Sequence, residues 1–342
     1  MKESVLKILV LCPLTVFLLG CMRDLDISED NTPLGNFQVL WQTLDEKYCF
    51  FDEKKVDWDS VYQVYKPKVE AVNNDDERAL FSVFADMLNT LNDGHVNLYT
   101  PFDVSSCTSW YDAYPLIYNS SVLFSDKYLA NYQTAGGMYY AMLKADSVGL
   151  MRLGSFSSSV SALNMYYVFT FFKDCKALIL DVRHNGGGDL ETAYRLASFF
   201  FDEKKTVGYQ QHKNGKGHGD FSKYQPIEIE PSKLKWLRPI VVLTDRYSYS
   251  ATNSFVNAMR YAPNCLVIGQ KTGGGGGMPL SYELPNGWML RFSSVRMTNA
   301  DYQSIEDGVE PHLPVEKRSN TEDLCVEMAL EIIRKAYENA GK

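Results

Sequence analysis

The sequence predicts an α/β domain that follows a small helical unit. Between residues 175 and 270, short apolar runs alternate with stretches of helical periodicity, the pattern of partly parallel strands joined by helices. Upstream, residues 36–95 carry apolar side chains at helical spacing and predict an N-terminal helical unit. The chain is 45% hydrophobic and 13% aromatic, which is typical of a folded protein, and its net charge of −8 argues against a nucleic-acid-binding surface.

Three helices are expected in the N-terminal unit. The first is indicated by i, i+3, i+4 and i+7 spacing at Phe37, Leu40, Trp41 and Leu44. A second begins near Trp58, with Asp57 or Asp59 as its cap, and a third follows residues 74–76. The unit ends at the turn Asp93-Gly94, so His95 is expected at a corner between a helix and a strand.

The α/β domain is predicted over residues 96–320, and a C-terminal helix over residues 321–342. Strands are expected at residues 121–124, 138–143, 148–153, 175–181, 240–243 and 265–269, and helices at residues 162–172 and after residue 189. A surface loop or hairpin is expected at residues 203–237, and a second hairpin turns at residues 285–287.

The amino terminus resembles an export signal. Lysines flank the start of an apolar run that is too short to span a bilayer and that ends in Gly20-Cys21. This junction resembles a bacterial lipoprotein cleavage site, so residues 1–20 are interpreted as a lipoprotein signal peptide and Cys21 as the lipidated residue. Residues 21–35 are polar and acidic and predict a flexible tether. An ordinary secretory signal and a buried helix are the alternatives.

Residues 240–259 contain the most suggestive local pattern, a buried strand that passes through a knot of small residues into a helix. The knot contains Ser248 and Ser250. The first N–H groups of a helix lack internal partners and favour negative charge, so a serine there could act as a nucleophile beside oxyanion donors. The alternative is that these serines only cap the helix.

Two glycine-rich turns follow strands, at residues 186–188 and 273–277. The first does not match a phosphate-binding motif, so nucleotide binding is not expected. The second is expected either to lie against a ligand or to form a flexible surface turn. The histidines and cysteines have no metal-ligand spacing, and neither a metal nor another cofactor is predicted. A disulfide between Cys49 and Cys107 remains open at this point.

Four segments together resemble one peptidase family. They are Asp93-Gly94-His95, the turn Asp181-Val182-Arg183-His184-Asn185-Gly186-Gly187-Gly188, the serine knot from Asp245 to Ala251, and Glu306-Asp307-Gly308-Val309-Glu310-Pro311. In this order they resemble the tail-specific, or C-terminal processing, peptidases, and more closely the branch similar to the tricorn protease core. The resemblance covers residues 36–318 and implies a superhelix of β-β-α units like that of the crotonase and ClpP folds.

The resemblance also implies roles for individual residues. The nucleophile falls on Ser250, the base on His95, and the acid that orients the histidine on Glu306. The oxyanion donors fall on the N–H groups of Gly187 and Ala251. The implied mechanism forms an acyl-enzyme on the serine and releases it with water.

Two alternatives to this triad remain open. Some relatives use a Ser-Lys dyad; the corresponding position here is Gly275, but Lys271 lies four residues earlier and could move. A non-catalytic lipoprotein that binds peptides or lipids on the same scaffold is the other. The peptide-binding PDZ domain common in the family has no room between Tyr99 and Tyr139.

The sequence therefore predicts a lipid-anchored serine endopeptidase of the bacterial cell envelope, at the outer membrane or facing the periplasm. Its expected substrates are peptides or unfolded proteins, and its expected membrane contact is the lipid anchor. Nucleic acid is not an expected partner, and the oligomeric state is left open.

Overall fold

The computed structural model describes residues 30–143 and 147–340. The predicted signal peptide and Cys21 lie outside these residues. The predicted class is confirmed, since a mixed α/β body follows an N-terminal helical region. The described helices are α1 (Pro33–Lys47), α2 (Phe51–Lys54), α3 (Trp58–Glu70), α4 (Glu77–Asn89), α5 (Ser109–Asp112), α6 (Ser120–Leu123), α7 (Ala162–Phe171), α8 (Leu190–Ser198), α9 (Ala251–Met259) and α10 (Leu324–Ala340).

The strands form two sheets within the described ranges. They are β1 (Asn97–Tyr99), β2 (Gln133–Ala135), β3 (Met138–Leu143), β4 (Val148–Leu153), β5 (Ala177–Asp181), β6 (Lys205–His212), β7 (Gln225–Ile229), β8 (Ile240–Thr244), β9 (Cys265–Gly269), β10 (Gly277–Glu283), β11 (Met289–Asn299) and β12 (Leu313–Pro314). The larger sheet has the order β12-β9-β8-β5-β4-β3-β2, parallel from β12 to β4 and antiparallel beyond. The smaller, antiparallel sheet has the order β1-β11-β6-β7, with β10 paired to β11.

Both faces of the larger sheet are covered by helices. One face packs on α7, α8 and α9 through a cluster that includes Phe156 and Phe255. The other face packs on α6 and α10 through a cluster that includes Leu243 and Val326. Coverage on both faces explains why β5 and β8 each begin with four consecutive apolar residues and show no alternation.

The N-terminal helices pack on the smaller sheet. Their shared core is centred on Trp288, which contacts Phe84 and Phe81 edge-on. The first helix begins at Pro33 with Thr32 as its cap, so residues 33–35 of the predicted tether are helical. Asp57, one of the two predicted caps, accepts a hydrogen bond from the backbone N–H of Ser60.

One predicted strand is wrong. Residues 121–124 were expected to be extended, but α6 ends there at Leu123. Val122 and Leu123 are neighbours in the sequence and both are buried, 7% and 0% exposed. Successive strand residues point to opposite faces, whereas a helical turn can bury both against the same core.

The predicted hairpins form, with β6 paired to β7 and β10 to β11. His212 and His218, expected on an exposed loop, are only partly exposed. His218 lies against Phe51, and its Nε2 is 2.7 Å from Asp45 Oδ1, so the first hairpin packs on the helical unit.

Candidate active site

The serine knot and the first glycine turn meet at one edge of the larger sheet. Strands β5 and β8 are parallel neighbours, with Asp181 opposite Leu243, so the loops that leave their carboxyl ends lie side by side. The backbone N–H of Tyr249 donates to the carbonyl of Asn185 across these loops (3.1 Å). The N–H of Ser250 donates to Gly274 in the loop after β9 (2.8 Å), so the knot is held from both sides.

The glycine turn rests on a buried ion cluster. Arg183 is 0% exposed and donates to both carboxylate oxygens of Asp181 and of Asp323 at 2.6–3.0 Å. This arrangement satisfies a buried guanidinium with two acids, one of them at the start of the C-terminal helix region. The cluster fixes where the chain leaves β5 and therefore where the turn begins.

Ser250 has a backbone conformation that residues other than glycine rarely adopt. Its φ is 59° and its ψ is −123°, and it precedes α9 directly. Its side chain makes no capping hydrogen bond, so the interpretation of this serine as a simple cap is wrong. Ser248, by contrast, donates to the carbonyl of Val182 (2.8 Å) and accepts from the N–H of Asp245 (3.2 Å), which is a structural role. The strained turn directs the Ser250 hydroxyl away from its own helix.

The Ser250 hydroxyl meets His95, which comes from a distant part of the chain. His95 Nε2 lies 3.0 Å from Ser250 Oγ, within hydrogen-bond distance. The backbone N–H of His95 donates to Asp93 Oδ1 (2.7 Å), and the imidazole lies 4.9 Å from the ring of Tyr249. Burial lowers the pKa of His95 to about 4, so the imidazole is neutral at physiological pH and can accept a proton.

Glu306 lies in the same region but does not hydrogen-bond to His95. Its Oε1 is 2.9 Å from the Nζ of Lys54, and the Glu306 side chain is 4% exposed. Within the described part of the chain, neither Glu306 Oε2 nor His95 Nδ1 has a hydrogen-bond partner. Burial, together with the charge of Asp93, raises the pKa of Glu306 to about 8, and Lys54 partly opposes this shift.

Sequence reasoning missed Lys54 and the role of Asp93. Asp93 is 1% exposed and also accepts hydrogen bonds from the hydroxyls of Tyr48 (3.1 Å) and Ser293 (2.9 Å). Asp93 belongs to the segment Asp93-Gly94-His95 that resembles the peptidase family, so its burial beside His95 could have been anticipated. Lys54 ends a helix of four residues, and no periodicity or motif marks it.

Gly187 lies directly against the serine. Its φ is 101°, and a Cβ built on it would lie 2.8 Å from Ser250 Cβ and 3.0 Å from the N atom of Ala251. Only glycine therefore leaves the space between the turn and the start of α9 open. The N–H of Gly187 donates to Asn185 Oδ1 (3.0 Å) in this structure, so an oxyanion would have to replace that side chain as its acceptor.

Lys271, the alternative base, pairs elsewhere. Its Nζ lies 3.2 Å from Glu310 Oε1, and the lysine side chain is 33% exposed. Gly275, at the position where the dyad lysine is expected, packs under the ring of Tyr249. The hydroxyl of Ser250 contacts His95 instead.

A polar cavity of about 260 Å³ lies next to Gly94 and Tyr249, the chain neighbours of His95 and Ser250. Its walls include Lys54, Glu306, Tyr249, Arg246 and Trp110. The indole of Trp110 stacks on Tyr249 at 4.2 Å, and its backbone carbonyl accepts from Arg246 Nε (2.7 Å). The segment around α5 thereby covers the residues that precede Ser250.

Residues 30–143 and 147–340 contain no group of three or more acidic, histidine or cysteine side chains placed to hold a metal ion. The five cysteines in these ranges are free thiols, so the open question of a bridge between Cys49 and Cys107 is answered in the negative for this structure. No helix in the described ranges is both long and apolar enough to cross a membrane.

Comparison with known proteins decides the family. Residues 147–315 match the model of peptidase family S41, and residues 30–89 match the tricorn protease C1 domain. A solved structure of a candidate peptidase from Parabacteroides merdae ATCC 43184 is 43% identical, covers 89% of this chain and 97% of that one, and has a TM-score of 0.83. The chain belongs to peptidase family S41.

The predicted kinship with tail-specific peptidases is confirmed as well. The carboxy-terminal processing protease CtpA of Bacillus subtilis (strain 168) is 25% identical over 179 residues, which are 52% of this chain and 37% of that protein. The chain spans about a third of the length of the curated S41 relatives it matches. The crystal structure of mature CPAF, at 14% identity and a TM-score of 0.67 over 89% of this chain and 96% of that one, shares the fold.

Proposed function

We propose that this S41 family member is a serine endopeptidase that cleaves peptide bonds through an acyl-enzyme on Ser250. The observation that carries the proposal is the 3.0 Å contact between His95 Nε2 and Ser250 Oγ, made by a serine in a strained turn. Nucleophile elbows of other hydrolases use the same device to expose a hydroxyl. A scaffold that only bound peptides or lipids would have no need to maintain either the strain or the contact.

In the proposed mechanism, His95 removes the proton from Ser250 as the hydroxyl attacks the scissile carbonyl. The neutral imidazole, whose pKa burial lowers to about 4, can accept that proton but holds it weakly. It can therefore pass the proton on to the leaving amine. Water then repeats the sequence on the ester and frees Ser250.

The proposed oxyanion donors are the N–H groups of Gly187 and Ala251. The Ala251 N–H is the first of α9, where the helix leaves it without an internal acceptor. The Gly187 N–H contributes once the amide of Asn185 releases it. Both N–H groups would stabilise the negative charge on the tetrahedral intermediate, and the positive end of the helix dipole, which points at the site, would add to this stabilisation.

Glu306 is the proposed acid of the triad. A base that uses Nε2 carries its own proton on Nδ1, and that N–H needs a buried acceptor when the ring becomes charged. Both His95 Nδ1 and Glu306 Oε2 lack a partner among the described residues, so each offers what the other needs. The proposal requires these two atoms to come within hydrogen-bond reach during acylation, directly or through a bridging water.

Unfolded peptides are the proposed substrates. Within the described strands, β10 pairs only with β11, so its other edge offers unpaired backbone groups to an extended chain. Met278 and Leu280 on this strand are 38% and 43% exposed, and the strand follows directly on the glycine loop that holds the serine knot. A segment that adds to this edge is extended, as the substrate of a peptidase must be.

Placement in the bacterial cell envelope through a lipid on Cys21 is part of the proposal and rests on the sequence alone. Cells that express the full chain should incorporate a radioactive fatty acid into the protein, and Cys21→Ser should abolish that incorporation. Label that persists in the variant would exclude lipidation at this residue.

The nucleophile is tested with a fluorophosphonate probe on the purified protein. Ser250→Ala should lose all labelling and all cleavage of an unfolded protein such as casein. Ser254→Ala is the matched control, since it makes the same change one turn later in α9, where the hydroxyl faces Met297 Sδ at 3.8 Å. Equal labelling of the Ser250→Ala variant and the wild type would exclude Ser250 as the nucleophile.

A further inference from the structure

The loop of residues 304–307, which carries Glu306, is held by the N-terminal helical unit as well as by its own domain, where Asn253 Nδ2 donates to the carbonyl of Ile305 (2.9 Å). Two consecutive residues of α2 reach the loop: Glu53 Oε2 accepts from the hydroxyl of Ser304 (2.6 Å), and Lys54 Nζ lies 2.9 Å from Glu306 Oε1. A third contact joins Lys54 to Asp307 at 3.6 Å. A helix of one turn therefore fixes the loop on both sides of its central acid.

We propose that Lys54 is a positioning residue that aligns Glu306 for its work with His95 and favours the ionised form of its carboxyl. The inference rests on the proposed function, because it gives Glu306 the task of the triad acid. Lys54 lies in α2, outside the four segments that resemble the peptidase family. Its direct contact with Glu306 is the observation on which the assignment depends.

Burial makes such a partner necessary. The side chains of Glu306 and Lys54 are only 4% and 12% exposed, and a buried carboxylate without a cation takes up a proton. A protonated Glu306 would bring no negative charge to stabilise the imidazolium, and a proton on Oε2 would occupy the oxygen that His95 Nδ1–H needs as its acceptor. The lysine therefore decides in which form the acid meets the histidine.

The surroundings of Glu306 otherwise oppose its charge. Asp93 faces it from the corner before β1 and raises its pKa, as Asp307 does from within the loop. Three neighbouring groups also sense the charge of Glu306. Burial, and after it the charges of Asp93 and Glu306, raises the pKa values of Tyr48, Cys49 and Tyr249. Arg246 lines the same cavity but donates its hydrogen bonds to the carbonyls of Trp110, Thr272 and Asp307. The charge of Arg291 adds to burial in lowering the pKa of His95.

Lys54 is the cation that opposes these effects at short range. Its pKa is raised by the negative charges of Glu306, Asp93 and Asp307, so it remains protonated throughout the physiological range. Even with Lys54 in place, the pKa of Glu306 is about 8. Removal of the ammonium should shift it further upward, because both the Coulombic attraction and the hydrogen bond are lost.

The test follows fluorophosphonate labelling from pH 5 to 10. In the wild type the labelling rate should rise with pH along a limb near pH 8. Lys54→Met should move that limb upward by at least about one unit, which lowers the rate at pH 7 about tenfold. Lys54→Arg, which keeps the positive charge, should retain the wild-type pH profile. Lys55→Met, which removes an exposed charge one residue later, should also leave that profile unchanged.

A double variant separates this role from a general loss of structure. Glu306→Gln should label slowly and without the limb near pH 8, and Lys54→Met should then have no further effect. The inference would be overturned if Lys54→Met kept the wild-type limb, or if it lowered the rate by one factor at every pH.

Direct titration keeps the two proposals distinguishable. The carboxyl carbon of Glu306, assigned by its absence in Glu306→Gln, can be followed by 13C NMR in protein that carries labelled glutamate. Its midpoint should be higher in Lys54→Met than in the wild type. A wild type that never labels would refute the proposed peptidase, and an unchanged NMR midpoint would refute the role of Lys54.

Discussion

The strained turn at Ser250 makes a prediction that compares two variants without a hydroxyl. Ser250→Ala and Ser250→Gly both remove the proposed nucleophile and its contact with His95, so both should be inactive. They differ in the Cβ alone, and the Cβ is what makes φ = 59° with ψ = −123° unfavourable. Glycine should therefore be the more stable replacement.

The expected difference follows from two opposing effects. A residue other than glycine in a sparsely populated region of φ and ψ costs about 1–3 kcal/mol. Glycine in turn lowers the free energy of unfolding by about 0.5–1 kcal/mol relative to alanine, because its unfolded chain has the greater conformational entropy. Ser250→Gly should thus exceed Ser250→Ala in free energy of unfolding by about 1 kcal/mol, which for a chain of this size raises Tm by about 2 °C.

The measurement is urea unfolding of both variants, followed by circular dichroism. Ser161 supplies the control, because it caps α7 with an ordinary φ of −95° and so reports the general preference for glycine over alanine at a helix start. The excess of the glycine–alanine difference at position 250 over that at position 161 measures the strain. Equal differences at the two positions would show that Ser250 is not strained.

Three further predictions concern Gly187, Glu306 and Lys271. Gly187→Ala should reduce labelling by at least about a hundredfold and destabilise the fold by about 2 kcal/mol, because the new Cβ would meet Ser250 and the residue would have to keep a φ of 101°. Gly186→Ala is the control, because its Cβ would have no neighbour within 4 Å. Equal effects of the two substitutions would refute this steric account. Glu306→Gln should gain stability relative to the wild type as pH rises from 5 to 8 in thermal melts, by up to a few kcal/mol. The pKa of about 8 in the folded state exceeds the unfolded value, so between pH 5 and 8 the unfolded wild type gives up this proton while the folded wild type keeps it, and the wild type loses stability. A pH-independent gap between the two proteins would contradict the assignment. Lys271→Met should label at nearly the wild-type rate, since its ammonium pairs with Glu310; a loss as severe as that of His95→Gln would favour the dyad.

The order of the motifs predicted the contact between His95 and Ser250, although 155 positions separate the two residues. A resemblance carries such information because it relates distant segments that local patterns cannot relate. The incorrect strand at residues 121–124 shows the limit of local patterns, since a short apolar run cannot tell a helical turn from a strand.

The charge state of Glu306 could not be predicted in the same way. It depends on Lys54, whose short helix carries no signal of its own, and on the burial of Asp93. Electrostatic effects vary with distance and solvent exposure, and neither quantity is encoded in a local stretch of sequence. The free state of the buried cysteines likewise follows from their positions rather than from their number.

By itself, the sequence determined the α/β class, the helical unit before it, the kinship with the tail-specific peptidases and the serine expected to react. These follow from periodicity and from motifs, which are properties of short segments and their order. Only the tertiary structure decided that Ser250 is a strained residue that leaves its helix uncapped, and that Glu306 is paired with Lys54 instead of His95. The physical reason is that strain and ionisation depend on what packs around a residue, and the chain fixes that environment only when it is folded.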